Sequence, residues 1–225
     1  MQRWGHEGVR AEQMRYYVYV SDTKLDMLYP QIPAKLAARL AWELKLDLKL
    51  LGLTLRNHDN DATRYGKLDL VEEYLDQNYE VGWMSEPTPW FRGELPLRSG
   101  VFGLQQDDGL LLYGGVEDGL LVGLFGSARH RTGHSADPNQ ILVGFSALSA
   151  LTDVLETERG GTPSSDPPPV EGMAREAMEL TRGLRGPAEP CEFLARRLLR
   201  TETVYEGAPL TVVLGTPLYV ALMDR

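Results

Sequence analysis

Two short polar stretches carry most of the side chains able to do chemistry. The first, Ser21-Asp22-Thr23-Lys24-Leu25-Asp26, places two hydroxyls, an amine and two carboxylates directly after the apolar run Tyr16–Val20. Polar side chains at the end of a buried strand are a common way to build a site. Asp22 and Asp26 have the carboxylates that Mg²⁺ accepts together with water, and Lys24 could meet a phosphate. A simpler local reading makes Ser21 or Asp22 the cap of a short helix, with Leu25, Met27 and Leu28 packing beneath it. Two aspartates four residues apart recur by chance, so no metal is assigned.

The second stretch, Gly126 to Ser135, packs Ser127, Arg129, His130, Arg131 and His134 into ten residues. A glycine-bearing loop with free main-chain N–H groups ahead of a helix suits an anion. Arginine forks onto carboxylate or phosphate, and His130 could move a proton near neutrality. The competing reading is a solvated connection. His130 and His134 lack the intervening glutamate and the third ligand of a zinc-protease helix, and no phosphate-loop spacing is present, so neither zinc nor a nucleotide cofactor is expected.

Elsewhere the chemistry thins out. Cys191 is the single cysteine, so no intramolecular disulfide can form. It opens an apolar, arginine-bearing stretch that reads as a helix, and without a neighbouring histidine it reads as a small buried hydrophobe. The Gly-x-Gly patterns of residues 114–126 sit inside strands, where they cannot cradle a dinucleotide. Trp83, Trp90 and Phe91 read as packing aromatics, and spacing alone assigns no Ser–His–Asp triad.

The elements that must position these residues follow from periodicity. Tyr16–Val20 lacks polar alternation and reads as a strand buried on both faces. Pro33 opens a helix with Leu36, Ala37, Leu40, Ala41 and Leu44 on one face. Leu46, Leu48 and Leu50 alternate as a strand, Gly52 marks a bulge, and residues 57–61 a turn. Leu68, Val71, Tyr74 and Leu75 form a second amphipathic helix, followed by a strand at 80–84 and a loop marked by Pro87, Pro89 and Gly93. Residues 109–115 and 119–126 form a hairpin joined at 116–118. A helix after Asp137-Pro138 carries Ile141 to Leu155, and residues 159–169 form a mobile linker. Helices are expected at 170–184 and 190–200, then strands at 210–214 and 218–222. With the last strand rejoining the first, the fold class is α+β: a single domain with a mixed, largely antiparallel sheet flanked by helices.

Composition narrows the function classes. The 225 residues are 43% hydrophobic and 24% charged, as in ordinary globular proteins, so no staple is needed for a core. A net charge of −9 is the wrong sign for gripping duplex DNA. No apolar run approaches the ~20 residues that span a bilayer, so no membrane association is expected, and the single cysteine suits the cytoplasm. Residues 1–13 are expected to be a disordered extension, with Met14 as an alternative start, and residues 14–225 the domain.

Three stretches, Tyr16–Ile32 (YYVYVSDTKLDMLYPQI), Gly123–Gly133 (GLFGSARHRTG) and Leu214–Leu222 (LGTPLYVAL), resemble a mostly actinobacterial family carrying a domain-of-unknown-function label. The resemblance implies that the two polar stretches belong to one unit, and it brings no catalytic residue. The residues point to a cofactor-free binding or regulatory protein. It would sense a small anionic ligand through Ser21, Lys24, Asp26, Ser127, Arg129, Arg131 and His134, or dock a protein partner or a second copy of itself. The alternative is a small acid–base enzyme of bacterial specialised metabolism using Asp22 and His130. That alternative requires the two stretches to meet.

Overall fold

A computed structural model describes residues 15–44, 60–102, 109–132 and 170–223. The expected strand at 46–50, the helix at 141–155, the linker at 159–169 and the N-terminal extension lie outside these residues. The described chain is a single sheet-rich domain in which a mixed seven-stranded sheet closes into a small barrel with helices packed outside. Its strands are β1 (Tyr16–Val20), β2 (Val81–Trp83), β3 (Trp90–Phe102), β4 (Leu110–Glu117), β5 (Leu120–Ser127), β6 (Glu189–Tyr205) and β7 (Ala208–Leu222). The helices are α1 (Asp22–Leu28), α2 (Ala34–Glu43), α3 (Asn60–Asn78) and α4 (Val170–Gly183). None of the described helices is long and apolar enough to cross a membrane.

Closure follows from the pairing. Strands β3, β4, β5, β7 and β6 form a circuit, each bonded to the next, with β6 returning to β3. All these pairings are antiparallel except β5 with β7. The two-residue period then sorts side chains. Leu111, Val213 and Phe193 point into the barrel core with Tyr19 and Phe91. Their neighbours Leu110, Leu112, Val212 and Leu214 face outward under α4. On the opposite outer face Val20, Leu194, Leu218 and Tyr219 lie under α1, α2 and α3.

Four expectations change. Residues 190–200 are not a helix but most of β6, which pairs with β7 from Cys191↔Leu222 to Tyr205↔Ala208. Bulges at Leu194/Ala195 and Arg197/Leu199 break the alternation, so the apolar positions fall at helix-like spacing, and cross-strand pairing overrides that local pattern. Gly93 lies within β3 and not in a loop. Pro96 faces Pro190 where β3 exchanges β6 for β4 as its partner, a place where a missing N–H is tolerated. The hairpin exists as expected, but its turn is Asp118-Gly119, both at positive φ (48° and 74°), the two-residue turn that matches strand twist. The two closing strands are one continuous strand, β7, which does rejoin β1.

Candidate site at the junction of β1 and β5

One edge of β7 serves two strands in succession. β5 runs parallel to it, from Leu120↔Thr211 to Leu124↔Gly215. β1 runs antiparallel, from Tyr16↔Leu222 to Val20↔Tyr219. The carboxyl ends of β1 and β5 therefore approach head to head across Thr216-Pro217-Leu218, and the polar stretch leaving each strand is delivered to the same place. Ser21 N donates to Leu218 O at 2.8 Å. On the other side, Thr132 N donates to Val18 O at 3.1 Å and Arg131 bridges to Tyr19.

Side chains complete the junction. The His130 ring, mostly buried in the turn Ala128–His130, sits over the start of α1. Its Nδ1 is 3.4 Å from Asp22 Oδ2, and its Nε2 is 3.2 Å from Thr23 Oγ1. Asp22 in turn holds Arg64 of α3, whose Nε lies 2.7 Å from Oδ1 while a terminal guanidinium nitrogen donates to Val20 O at 2.6 Å. The Tyr19 and His130 rings meet edge to face, 6.0 Å between centroids. Burial raises the Tyr19 phenol well above its ordinary range, against hydrogen bonds to the Ser21 side chain and the Ser127 main chain.

Ser21 is the buried N-cap of α1, and its Oγ accepts from Lys24 N and Lys24 Nζ, each at 3.4 Å. The capping reading of this stretch therefore holds for Ser21 and Leu25, whereas Met27 is exposed. Lys24 is half-buried, and removal from water lowers its ammonium to about 8. Asp26 turns away to Lys67 at 3.2 Å, so the two aspartates of α1 do not share a ligand position. Ser127 Oγ is buried without a hydrogen-bond partner, and Arg131 is exposed. Arg129 is half-buried in the same turn as His130. His134 lies outside the described residues.

Sequence reasoning missed Arg64, Lys67 and Tyr19. The first two come from a helix that no linear pattern ties to α1. Tyr19 read only as a strand residue. Its inward direction follows from alternation once Val20 is known to face α3, but sequence does not say which face closes the barrel. No curated protein and no solved structure matches the chain. A family model covers residues 15–224, and with that span matched the chain belongs to the family of unknown function DUF7019.

Proposed function

We propose that the junction of β1 and β5 binds a small anion, phosphate- or carboxylate-bearing, and that the protein acts as a sensing or accessory component. The supporting observation is a local imbalance of charge. The carboxylates of α1 are each matched by a cation from α3, Asp22 by Arg64 and Asp26 by Lys67. Among the described residues, Lys24 and Arg131 have no carboxylate partner, in a chain of net charge −9. An ammonium withdrawn from water without a counter-charge is costly, and a bound anion offsets that cost.

The test is thermal stability in inorganic phosphate, pyrophosphate and small dicarboxylates, against chloride at equal ionic strength. Stabilisation should grow with the logarithm of ligand concentration. It should weaken in Lys24→Met, and fade as pH rises through about 8, where Lys24 loses its proton. If no anion does more than chloride, the reading fails.

The 3.4 Å approach of His130 Nδ1 to Asp22 favours a second reading. A carboxylate on Nδ1 fixes the tautomer and leaves Nε2 to exchange protons, here with Thr23 Oγ1 or a group that displaces it. Acid–base catalysis at that nitrogen is the enzymatic form of the proposal.

A further inference from the structure

Ser21 and Lys24 form a contact that neither reading uses. Their Ser-x-x-Lys spacing brings an amine back over a hydroxyl one helical turn away, and serine enzymes use this spacing for acyl transfer. Here Nζ lies 3.4 Å from Oγ. We propose that Ser21 is an acyl-accepting nucleophile with Lys24 as its base, and that its substrates are esters of small carboxylic acids.

Three observations carry this. Lys24 has no carboxylate partner among the described residues, so no counter-charge there holds its proton, and burial brings the amine to about 8, where a neutral fraction exists at physiological pH. The Tyr19 phenol interacts with the Ser21 side chain and with the Ser127 main chain, which relates the two strand ends. The Ser127 hydroxyl is buried without a partner at the end of β5, and in the proposal it is the group that donates to the acyl oxygen as that oxygen gains charge. Ser21 itself is only 2% exposed, so the proposal is confined to small acyl donors.

The step balances within these groups. Neutral Lys24 Nζ takes the Ser21 Oγ proton as Oγ bonds to the acyl carbon. The ester C–O bond breaks, and the departing alkoxide takes the proton from Lys24. Water then reverses the sequence: Nζ accepts a water proton, hydroxide attacks the acyl carbon, and the Oγ–C bond breaks as the proton returns to Oγ. No metal or redox partner is needed. The proposal concerns the same junction but does not depend on anion binding, because acylation can be read in chloride alone.

The experiment treats the full chain with p-nitrophenyl acetate, quenches in acid, and maps the acetyl group by peptide mass spectrometry. The acetyl should sit on Ser21. The rate of p-nitrophenolate release should fall by about 100-fold or more in Lys24→Met, with the melting temperature of that variant maintained. Because Ser21→Ala also removes the cap of α1, the position of the acetyl group in the unaltered protein is the deciding readout. Acetyl on Lys24 Nζ with none on Ser21 would mean an amine that is merely reactive, and the proposal falls. Absence of both trapped acetyl and p-nitrophenolate release that depends on Lys24 overturns it equally.

Discussion

The carboxylate of Asp22 lies 3.4 Å from Nδ1 of His130, and this contact joins the exit of β1 to the exit of β5. It exists because β7 offers one edge to both strands, which meet carboxyl end to carboxyl end. Its energy is measurable whatever the site binds. In a double-mutant cycle with Asp22→Ala and His130→Ala, the coupling energy should be about 1 kcal/mol, within the range for contacting residues. His130→Ala alone should cost more than Asp22→Ala, since the ring also contacts Tyr19 and Thr23. Additive effects within a few tenths of a kcal/mol would mean that the pair is not formed in solution.

A second polar centre holds α3 to the barrel. Glu72 is buried. Its carboxylate accepts from Arg15 at 2.7 Å, Arg92 at 2.9 Å and the Tyr219 hydroxyl at 3.2 Å. Removing one member of a buried ion cluster leaves uncompensated charge, so Glu72→Ala should destabilise by about 3–5 kcal/mol in urea unfolding. Glu72→Leu combined with Arg15→Met and Arg92→Met should recover much of that loss. If the triple variant is weaker than Glu72→Ala, the charges contribute more than their desolvation penalty.

Much of this arrangement was legible in sequence, and the exceptions have physical causes. Tyr16–Val20, the helices at Ala34–Glu43 and Val170–Gly183, and the hairpin arms declared themselves through period and turn chemistry. β6 did not, because its bulges disguise the alternation and its turn is Glu206-Gly207, outside the usual Asn-Gly or Asp-Gly pairs. The two polar stretches could be recognised separately by composition. Their meeting depends on the direction in which β1 and β5 pair with β7, and that is a tertiary fact. The same holds for Arg64, which reaches Asp22 from another helix.

Asp69 gives a pH signature. Burial, reinforced by the nearby Glu72 charge and opposed by Arg15, pushes its carboxyl from 3.8 up to about 6. The folded protein therefore holds this proton more tightly than the unfolded chain. Its contribution to stability is full below 3.8 and is lost as pH rises through about 6. Asp69→Asn should thus stabilise the protein at pH 7 by about 1–2 kcal/mol, a partly exposed group realising less than the full shift. The gain should shrink as pH falls from about 6 towards 3.8, below which folded and unfolded states both hold the proton. A gain independent of pH would place its origin elsewhere.

Gly126 is fixed by Tyr19. A Cβ at residue 126 would meet the Tyr19 hydroxyl, and would lie 2.7 Å from its Cζ, below any real contact. Gly126→Ala should therefore destabilise by about 1–3 kcal/mol through overpacking. Because the displaced ring also touches His130, the Asp22–His130 coupling should fall in the same variant. Adding Tyr19→Phe removes the clashing oxygen and should restore part of the stability. If Gly126→Ala is neutral, the ring has room that the packing does not provide.

Cys191 reports on the strand that sequence reads as a helix. It pairs with Leu222 of β7 and Leu95 of β3, and its side chain lies in the barrel core. Burial pushes the thiol up to about 11, with the Glu189 charge adding to the effect. Thiolate is the reactive form, so an aromatic disulfide reagent should leave the native protein almost unmodified near neutral pH. Modification should proceed only as the barrel opens, and at high reagent concentration its rate should plateau at the opening rate. As the single cysteine of the chain, Cys191 makes that rate unambiguous. Rapid labelling under native conditions, with the far-UV spectrum unchanged, would show that β6 is not held between β3 and β7.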